Sequence, residues 1–191
     1  QINNPQLIKE NLKEVLTSFI NQYGSHRITV VSGGALGADR LWALAAYELG
    51  VEYEIYVPTG YGEIFVLQEK TNSKWQVKEN GRDLLAKWEK MLELASWVYD
   101  HNGHTQSIEQ AIAGIYSRGA NFRRNETLVK VSQIHIAVSN QDPRSVIKNP
   151  NWSGGTYHCI RTMKKLGVES VYWIPATATL KVTHLVDIND V

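Results

Sequence analysis

Residues 28–39 read Ile-Thr-Val-Val-Ser-Gly-Gly-Ala-Leu-Gly-Ala-Asp, and this stretch decides the fold class. The β-branched run at residues 28–31 stands between turn-forming residues and predicts a strand buried on both faces. A glycine-rich turn follows at once, and residues 39–49 predict a helix closed by the glycine that comes next. Residues 51–57 predict another strand, ended by a proline. Together they form a strand–turn–helix–strand unit, which is typical of parallel sheets.

The same alternation continues along the rest of the chain. Residues 5–23 predict an amphipathic helix, because apolar residues recur at steps of three and four before a glycine. Further helices are predicted at 81–94, 105–118, 122–131 and from 154 or 155 to 166, further strands at 95–99, 134–138 and 168–174, and loops at 59–80 and 139–153. Strands that alternate with helices favour a parallel sheet covered by helices on both faces.

Composition and charge narrow the classes of function. The chain has 191 residues, enough for one α/β domain, and its formal charge is only +1. A protein held to nucleic acid by bulk basicity is therefore excluded. The charge is nevertheless segregated, with six acidic residues against one arginine over residues 39–69 and five basic residues against one acidic residue over 140–165. An anion site in this chain must be local.

Cysteine usage and hydropathy indicate the compartment. Cys159 is the only cysteine, so the chain forms no internal disulfide and no cysteine-pair zinc or redox site. No stretch approaches the roughly 18 apolar residues that span a bilayer, and no secretory leader is recognised. We therefore expect a cytoplasmic protein with no membrane association, no metal site and no resident cofactor.

The glycine-rich turn after the first predicted strand is the first candidate binding site. Glycines allow positive φ and carry no side chain, so backbone N–H groups can approach a phosphate at the start of the following helix, where the helix dipole favours an anion. The turn matches neither a P-loop nor the pattern Gly-x-Gly-x-x-Gly, and a tight turn without a ligand is the plainer alternative. The candidate residues are Ser32, Gly33, Gly34, Ala35, Gly37 and Asp39. Asp39 either caps the helix or accepts hydrogen bonds from a ribose or an amine.

A second glycine turn has the same position between a strand and a helix. It reads Trp-Ser-Gly-Gly-Thr-Tyr at residues 152–157, and its candidate ligand-binding residues are Gly154, Gly155 and Thr156. Two such turns at the carboxyl ends of neighbouring parallel strands face one crevice. Trp152 stands in the loop before the glycines, where its ring can stack on a base.

A segment with two arginines and an asparagine lies between the two turns. It reads Gly-Ala-Asn-Phe-Arg-Arg-Asn-Glu at residues 119–126, and its candidates are Arg123, Arg124, Asn125 and Glu126. A guanidinium is a natural bidentate partner for phosphate, and Asn or Glu beside it can hold a base or a sugar. Arginines at a helix amino terminus oppose the helix dipole, so an external anion would account for them. The alternative is that Arg123, Arg124 and Glu126 are ordinary solvated charges that bind no ligand.

The remaining candidates carry weaker signals. His101 and His104 lack a third metal ligand at a fitting spacing. Cys159 follows the second glycine pair, where a thiol pKa can be lowered, although a buried structural cysteine is the better interpretation. Three tryptophans on apolar faces are predicted to be core residues, namely Trp42, Trp88 and Trp173.

Three motifs in this order resemble the SLOG superfamily, and most closely its YpsA-like branch: Ser-Gly-Gly-Ala-Leu-Gly-Ala-Asp, Phe-Arg-Arg-Asn-Glu-Thr-Leu-Val and Gly-Gly-Thr. That group includes the DNA-processing protein A and lonely-guy phosphoribohydrolase families. The resemblance covers residues 28–175 of a single domain, 1–191, and implies a Rossmann-like open parallel sheet with helices on both faces. Members begin with a central strand before the first helix, so the first strand of this sheet is expected upstream of Gln1.

The resemblance also implies a pocket for a nucleotide or a nucleotide-derived ligand, formed by both glycine turns and the Arg124–Asn125 segment. Our leading expectation is a sensor or sequestering protein that binds such a molecule and self-associates, as the family often does. One alternative is an N-glycosidase of phosphoribohydrolase type that acts on nucleoside monophosphates with Glu126 or Asp39 as its carboxylate. The glutamate that lonely-guy enzymes carry after their Gly-Thr is absent here, so whether the chain is an enzyme stays open. The other alternative is a single-stranded DNA binder of DNA-processing type with a basic surface at 148–165.

Overall fold

Helices and strands alternate along the chain, as a computed structural model of residues 2–62, 64 and 81–189 shows. The helices are α1 (Pro5–Tyr23), α2 (Ala38–Glu48), α3 (Gly81–Glu93), α4 (Ile108–Ala113), α5 (Ala120–Val131), α6 (Pro143–Lys148) and α7 (Gly155–Lys165). A short 3₁₀ turn, Ser25–Arg27, follows α1. The strands are β1 (Thr29–Ser32), β2 (Glu52–Tyr56), β3 (Trp97–Tyr99), β4 (Ile136–Ser139), β5 (Ser170–Pro175) and β6 (His184–Asp187). The loop predicted at 59–80 lies largely outside the described residues.

The described strands form two three-stranded sheets. In the first, β1, β2 and β3 are parallel in that order, so that Val30 lies beside Tyr53. In the second, β4 is parallel to β5, whereas β6 runs antiparallel to β5. The expected α/β architecture is therefore present, but the second sheet is mixed, and β1 and β4 are not hydrogen-bonded to each other.

Helix α1 is shared by the two sheets. Leu16 belongs to the apolar core of the first sheet. Ile8 and Leu12, nearer the start of the helix, pack in a cluster with Val138 and Ile174 of the second sheet. One amphipathic stripe, predicted from its three- and four-residue spacing, thus covers parts of both sheets.

The remaining helices complete the layers. Helix α3 buries Trp88 completely beneath the first sheet, where its indole N–H donates to the carbonyl oxygen of Gly34 at 2.9 Å. Successive strand side chains point to opposite faces, so in β4 Val138 faces α1 while Ala137 faces α5 and α7. Trp42 and Trp173 are partly buried against these cores, which confirms the predicted core role of all three tryptophans.

One predicted helix is much shorter than its pattern suggests. The helix predicted at 105–118 is the six-residue α4, which begins at a Ser107 capping box and ends at Gly114. The chain at Gly60 crosses this end closely enough for its N–H to donate to the carbonyl of Gln110 at 2.9 Å. A side chain at Gly60 would overlap the Gly114 backbone. The crossing occupies the space into which the helix would otherwise continue.

Two elements were not predicted. The loop predicted at 139–153 contains α6, which Asp142 caps by accepting the N–H of Arg144 at 2.8 Å, with Pro143 at the first helical position. Strand β6 has only Val186 buried among its four residues, so its sequence carries almost no strand pattern. The other predicted helices and strands are present, with ends shifted by a few residues.

Candidate functional site

A deep cleft separates the two sheets and has a volume of about 1020 Å³. Its walls include the edges of β1 and β4, one side of α1, and parts of α5 and α7. At the carboxyl ends of β1 and β4 the cleft reaches both glycine turns. The predicted ligand residues that line it are Ser32, Gly33, Ala35, Asp39, Arg124, Asn125, Gly155 and Thr156.

The first glycine turn is held by hydrogen bonds within itself. The Ser32 hydroxyl donates to the carbonyl of Asp39 at 2.7 Å and accepts the N–H of Gly34 at 3.3 Å. The N–H of Ala35 donates to Asp39 Oδ2 at 3.3 Å. Asp39 therefore stabilises the turn that precedes its own helix by hydrogen bonding. This role is close to the helix-capping role that was one of the two predicted for Asp39.

Glycine is required in this turn for reasons of space and of backbone angle. A Cβ at Gly33 would lie 2.6 Å from Asp39 Oδ2 and 3.0 Å from Arg124 Cζ. Gly34 has a φ of 63°, and its added Cβ would lie 2.9 Å from Ile55 Cγ2. Gly37, at the start of α2, has a φ of 92°. The chain can make this approach only without side chains.

Arg124 and Asn125 connect the two turns. The buried Arg124 guanidinium donates from Nη1 to the carbonyl of Gly33, and from Nε and Nη2 to Asn125 Oδ1 at 3.2 and 3.1 Å. Asn125 Nδ2 in turn donates to the carbonyl of Gly155 at 3.3 Å. The structure thus brings together the three motifs that the sequence analysis singled out. Three of the five guanidinium N–H groups are used in this bridge.

Arg123 and Glu126 point away from the cleft. The exposed Arg123 donates from Nη2 to Ser117 Oγ and approaches His101 Nε2 at 3.4 Å. Glu126 is exposed, and neither residue lines the cleft. Neighbouring helix positions point in different directions, so Arg123 and Arg124 cannot serve one pocket equally. Since α5 begins at Ala120, Arg124 lies in the second helical turn, away from the amino-terminal end of the dipole. Its hydrogen bond to the Gly33 carbonyl accounts for its position, so no external anion is needed to explain it.

Two helices begin at this cleft without a side-chain cap. The N-cap residues of α2 and α7 are Gly37 and Gly154, and neither makes a side-chain capping bond. Helix α5 likewise starts at an uncapped glycine, Gly119, whereas α1, α4 and α6 are capped by the side chains of Asn4, Ser107 and Asp142. Uncapped first-turn N–H groups carry the positive end of the helix dipole, which makes both helix starts suited to an anion.

The second glycine turn is open. Gly155 and Thr156 are exposed, and a Cβ at Gly155 would meet no atom within 4 Å. Trp152 does not line the cleft. Its ring lies 6.1 Å from that of Tyr157 and packs against the core of the second sheet, so the predicted base-stacking ring is occupied within the protein.

Among the described residues, the acidic and basic side chains that line the cleft are Arg27, Asp39, Glu54 and Arg124. Burial raises the pKa of Asp39, and this rise is opposed by the charge of Arg124 and by the hydrogen bond from Ala35. Burial, together with the Asp39 charge, raises the pKa of Cys159 to about 12. Cys159 is therefore a poor nucleophile here, in agreement with its interpretation as a structural cysteine.

The other candidate groups form no site. His104 Nδ1 lies 3.5 Å from Asp100 Oδ2, and no cluster of three or more His, Cys, Asp or Glu suited to a metal ion occurs among the described residues. The sequence analysis did not identify Glu54 and the α1 side chains Leu12 and Phe19, all of which line the cleft. Their patterns predict a strand and a buried helix stripe, and nothing in those patterns reveals an unfilled space beside them.

Comparison with known proteins gives no family for the chain. No protein-family model matches it, and no significant match occurs among curated proteins or solved structures. Among the described helices, none combines the length and the apolar character needed to cross a membrane.

Proposed function

We propose that the chain binds a phosphate-bearing nucleotide or nucleotide-derived small molecule, as a sensor or sequestering protein. The observation that carries this proposal is the meeting of two uncapped, glycine-started helices at one cleft, with Arg124 and Asn125 between them. Each helix start offers N–H donors to a phosphate oxygen. The buried Arg124 guanidinium also lines the cleft and adds a positive charge that favours a phosphate there.

A Rossmann-like interpretation of the fold supports the same location for the ligand. We take the two sheets as halves of one Rossmann-like open sheet, with the boundary between them at β1 and β4. In open α/β sheets, ligands bind in the crevice outside the carboxyl ends of the strands, where the direction of winding reverses. The two glycine turns lie at such carboxyl ends, after β1 and after β4 with its following helix α6.

The size and lining of the cleft favour more than a bare phosphate. A volume of about 1020 Å³ is at the upper end of the range for small-molecule sites, roughly 300–1,000 Å³. Beside the polar turns the walls carry apolar side chains, including Leu36 and Leu128. A ligand with a phosphate at the turns and a flat or apolar group beyond them matches this division.

The test is a thermal-unfolding panel of AMP, NAD, ADP-ribose, cyclic ADP-ribose and cyclic dinucleotides, with adenosine and inorganic phosphate as controls. A binding member at about 100 times its Kd should stabilise the fold by roughly 2.7 kcal/mol. Adenosine should give a much smaller shift than its phosphorylated counterpart, because the helix starts would then have no anion to bind.

Gly155→Asp is the matched variant, with Gly155→Ala as its control. The position is open, so both side chains fit, and a carboxylate in the first helical turn favours folding by about 0.3–1 kcal/mol. Gly155→Asp should therefore fold normally but lose the ligand-induced shift, whereas Gly155→Ala should keep most of it. A panel with no shift contradicts the proposal, and a shift that Gly155→Asp retains would exclude this turn.

No specific observation favours either alternative. For an N-glycosidase, Glu126 lies outside the cleft, and Asp39 is tied to the Ala35 N–H beside Arg124. For a single-stranded DNA binder, several basic groups near the second turn are engaged within the protein: Arg144 with Asp142, Arg161 with the Trp152 carbonyl, and Lys164 with the Asn189 carbonyl. Self-association stays a prediction.

A further inference from the structure

The first sheet has one covered face and one that is largely open. On the covered face, Ile55 and Val98 are buried in one apolar cluster with side chains of α2 and α3. Successive residues along a strand point to opposite faces, so Glu52, Glu54 and Trp97 lie together on the other face, which we call the open face. Fully parallel sheets are normally covered by helices on both faces. The open face is therefore an exception that needs an explanation.

A large aromatic side chain stands on the open face. Trp97 is 55% exposed although it lies within a strand. Its neighbour on β2 is Glu54, and the next pair along the same two strands is Tyr56 beside Tyr99, whose rings stack with their centroids 4.7 Å apart. Tryptophan is among the side chains that most often anchor a protein interface, because it buries a large area at one point. Trp97 therefore marks this face as a candidate for contact with another molecule.

The carboxylates beside Trp97 have no cation to pair with. Among the described residues, neither Glu52 nor Glu54 takes part in an ion pair. The Tyr56 hydroxyl donates to Glu54 Oε2 at 3.5 Å, which is a long hydrogen bond. Burial raises the pKa of Glu54, the hydrogen bond from Tyr56 opposes this rise, and the charge of Glu52 adds to it. Both carboxylates would therefore stabilise a positive charge placed between them.

The pairing of acidic and aromatic side chains selects a particular chemistry. A guanidinium can lie flat on an indole ring and at the same time donate hydrogen bonds to carboxylates. Single exposed aromatic residues and solvated glutamates are common on protein surfaces when they occur apart. Here they are direct cross-strand neighbours, with Glu54 beside Trp97. Small molecules bind in concave clefts, so an open sheet face is better suited to a segment of a protein.

A second copy of this chain does not fit the open face. If two copies met through the same face, each would contribute both of its carboxylates, and like charges across an interface oppose association. Contact with the basic part of another copy is disfavoured as well, because several of those basic groups are engaged within the protein. They are Arg144 with Asp142, Arg161 with the Trp152 carbonyl, and Lys164 with the Asn189 carbonyl.

We propose that the open face binds a basic segment of a different protein, with an arginine side chain on the Trp97 indole and its guanidinium between Glu52 and Glu54. This interaction is separate from the proposed ligand site. Of these three residues, Glu54 alone lines the cleft. Glu52 and Trp97 are the first residues of β2 and β3, whereas the glycine turns follow the carboxyl ends of their strands. The partner and the ligand therefore contact opposite ends of the sheets.

Nuclear magnetic resonance of the isotope-labelled chain tests the proposal. The probe is an alanine-based helical peptide that carries arginines at every fourth position, so that they line one side of the helix. It should shift the Trp97 indole N–H signal and the amide signals of Glu52 and Glu54, and its Kd should rise with salt concentration. A peptide with glutamates at the same positions should shift none of these signals.

Variants of the open face give the second readout. Glu52→Gln should raise the Kd of the arginine peptide about threefold, as for one exposed ion pair. Trp97→Thr should raise it about tenfold, and Trp97→Phe should restore part of this loss because phenylalanine keeps a ring for the cation. Threonine is a good strand residue, so the fold should be retained. Glu89→Gln removes the same charge from an exposed position on α3 and is the matched control.

Four results would overturn the proposal. They are a lack of any shift with the arginine peptide, and an equal rise in Kd for Glu52→Gln and Glu89→Gln. Signals of the open face that move with the concentration of the chain alone would identify a second copy as the occupant. Spermine that binds this face as tightly as a peptide of the same charge would identify a small cation instead.

Discussion

The two glycine turns have similar sequences but different structural reasons for their glycines. In the first, an added Cβ at Gly33 or Gly34 would collide with Asp39, Arg124 or Ile55, so the fold itself requires glycine. In the second, Gly154 has a φ of 139° that favours glycine, but a Cβ at Gly155 would enter open space, so the fold alone does not require glycine at position 155. The first turn is built by its neighbours within the chain. The second has room beside it for a molecule from outside.

The largest expected effect concerns the side chain that joins the two turns. Arg124→Met should reduce the free energy of unfolding by roughly 3–5 kcal/mol, because it removes a buried charged network and leaves the Gly33 carbonyl and Asp39 without their partner. Urea denaturation measures this loss. Arg144→Met, at an exposed ion pair with Asp142, is the control and should cost no more than about 1 kcal/mol. Similar losses in the two variants would show that the bridge contributes no special stability.

A substitution of the same kind in each turn separates the two reasons for glycine. Gly33→Ala should destabilise the fold by about 1–3 kcal/mol through overpacking against Asp39 and Arg124. Gly155→Ala should leave stability within about 0.5 kcal/mol of the original or raise it, since the methyl group meets nothing and alanine favours a helix. Thermal and urea unfolding of both variants provide the measurement. A large loss for Gly155→Ala would remove the contrast between the turns.

The smallest expected effect is a dependence on pH at the first turn. Burial raises the folded-state pKa of Asp39 above its ordinary value of 3.8, so the folded protein holds this proton more tightly than the unfolded chain does. The contribution of Asp39 to stability is therefore greatest in acid, falls as pH rises above 3.8, and levels off above the folded-state pKa. The stability difference between the original chain and Asp39→Asn should shrink over that range.

Asp142 supplies a control of opposite sign for the pH experiment. Its hydrogen bonds with Arg144 hold the pKa of this carboxyl below the ordinary value, so its contribution is present at neutral pH and is lost as pH falls through the folded-state pKa. The stability difference between the original chain and Asp142→Asn should therefore grow with rising pH. Parallel slopes for the two variants would contradict the assignment of Asp39 as a carboxyl whose charge is disfavoured by burial.

Local signals predicted much of the fold. Helix α1 has the predicted bounds because the Asn4 cap, the proline after it and Gly24 mark its ends in the sequence. Strand β6 could not be found in this way, because it is defined by its pairing with β5 and buries only Val186. The end of α4 depends on contact with the distant Gly60, to which a local pattern is insensitive.

The candidate site was predicted in outline but not in detail. Its three motifs lie together, as the order of strands and turns indicated. Which arginine enters the cleft depends on the phase of α5, and the start of that helix differed from the prediction by two residues. The sequence also could not show that Arg124 binds the carbonyl of Gly33, since this contact spans 91 positions. The cleft itself is a property of strand edges that fail to meet, which no single motif encodes.

Helix α1 has a further consequence for folding cooperativity. The two sheets have largely separate apolar clusters, and α1 contributes Leu16 to one and Ile8 and Leu12 to another. Each half of the molecule could in principle open without disrupting the other, but opening that displaces α1 exposes apolar surface in both. The helix therefore couples the two halves energetically. We expect the two halves to unfold together in one cooperative transition.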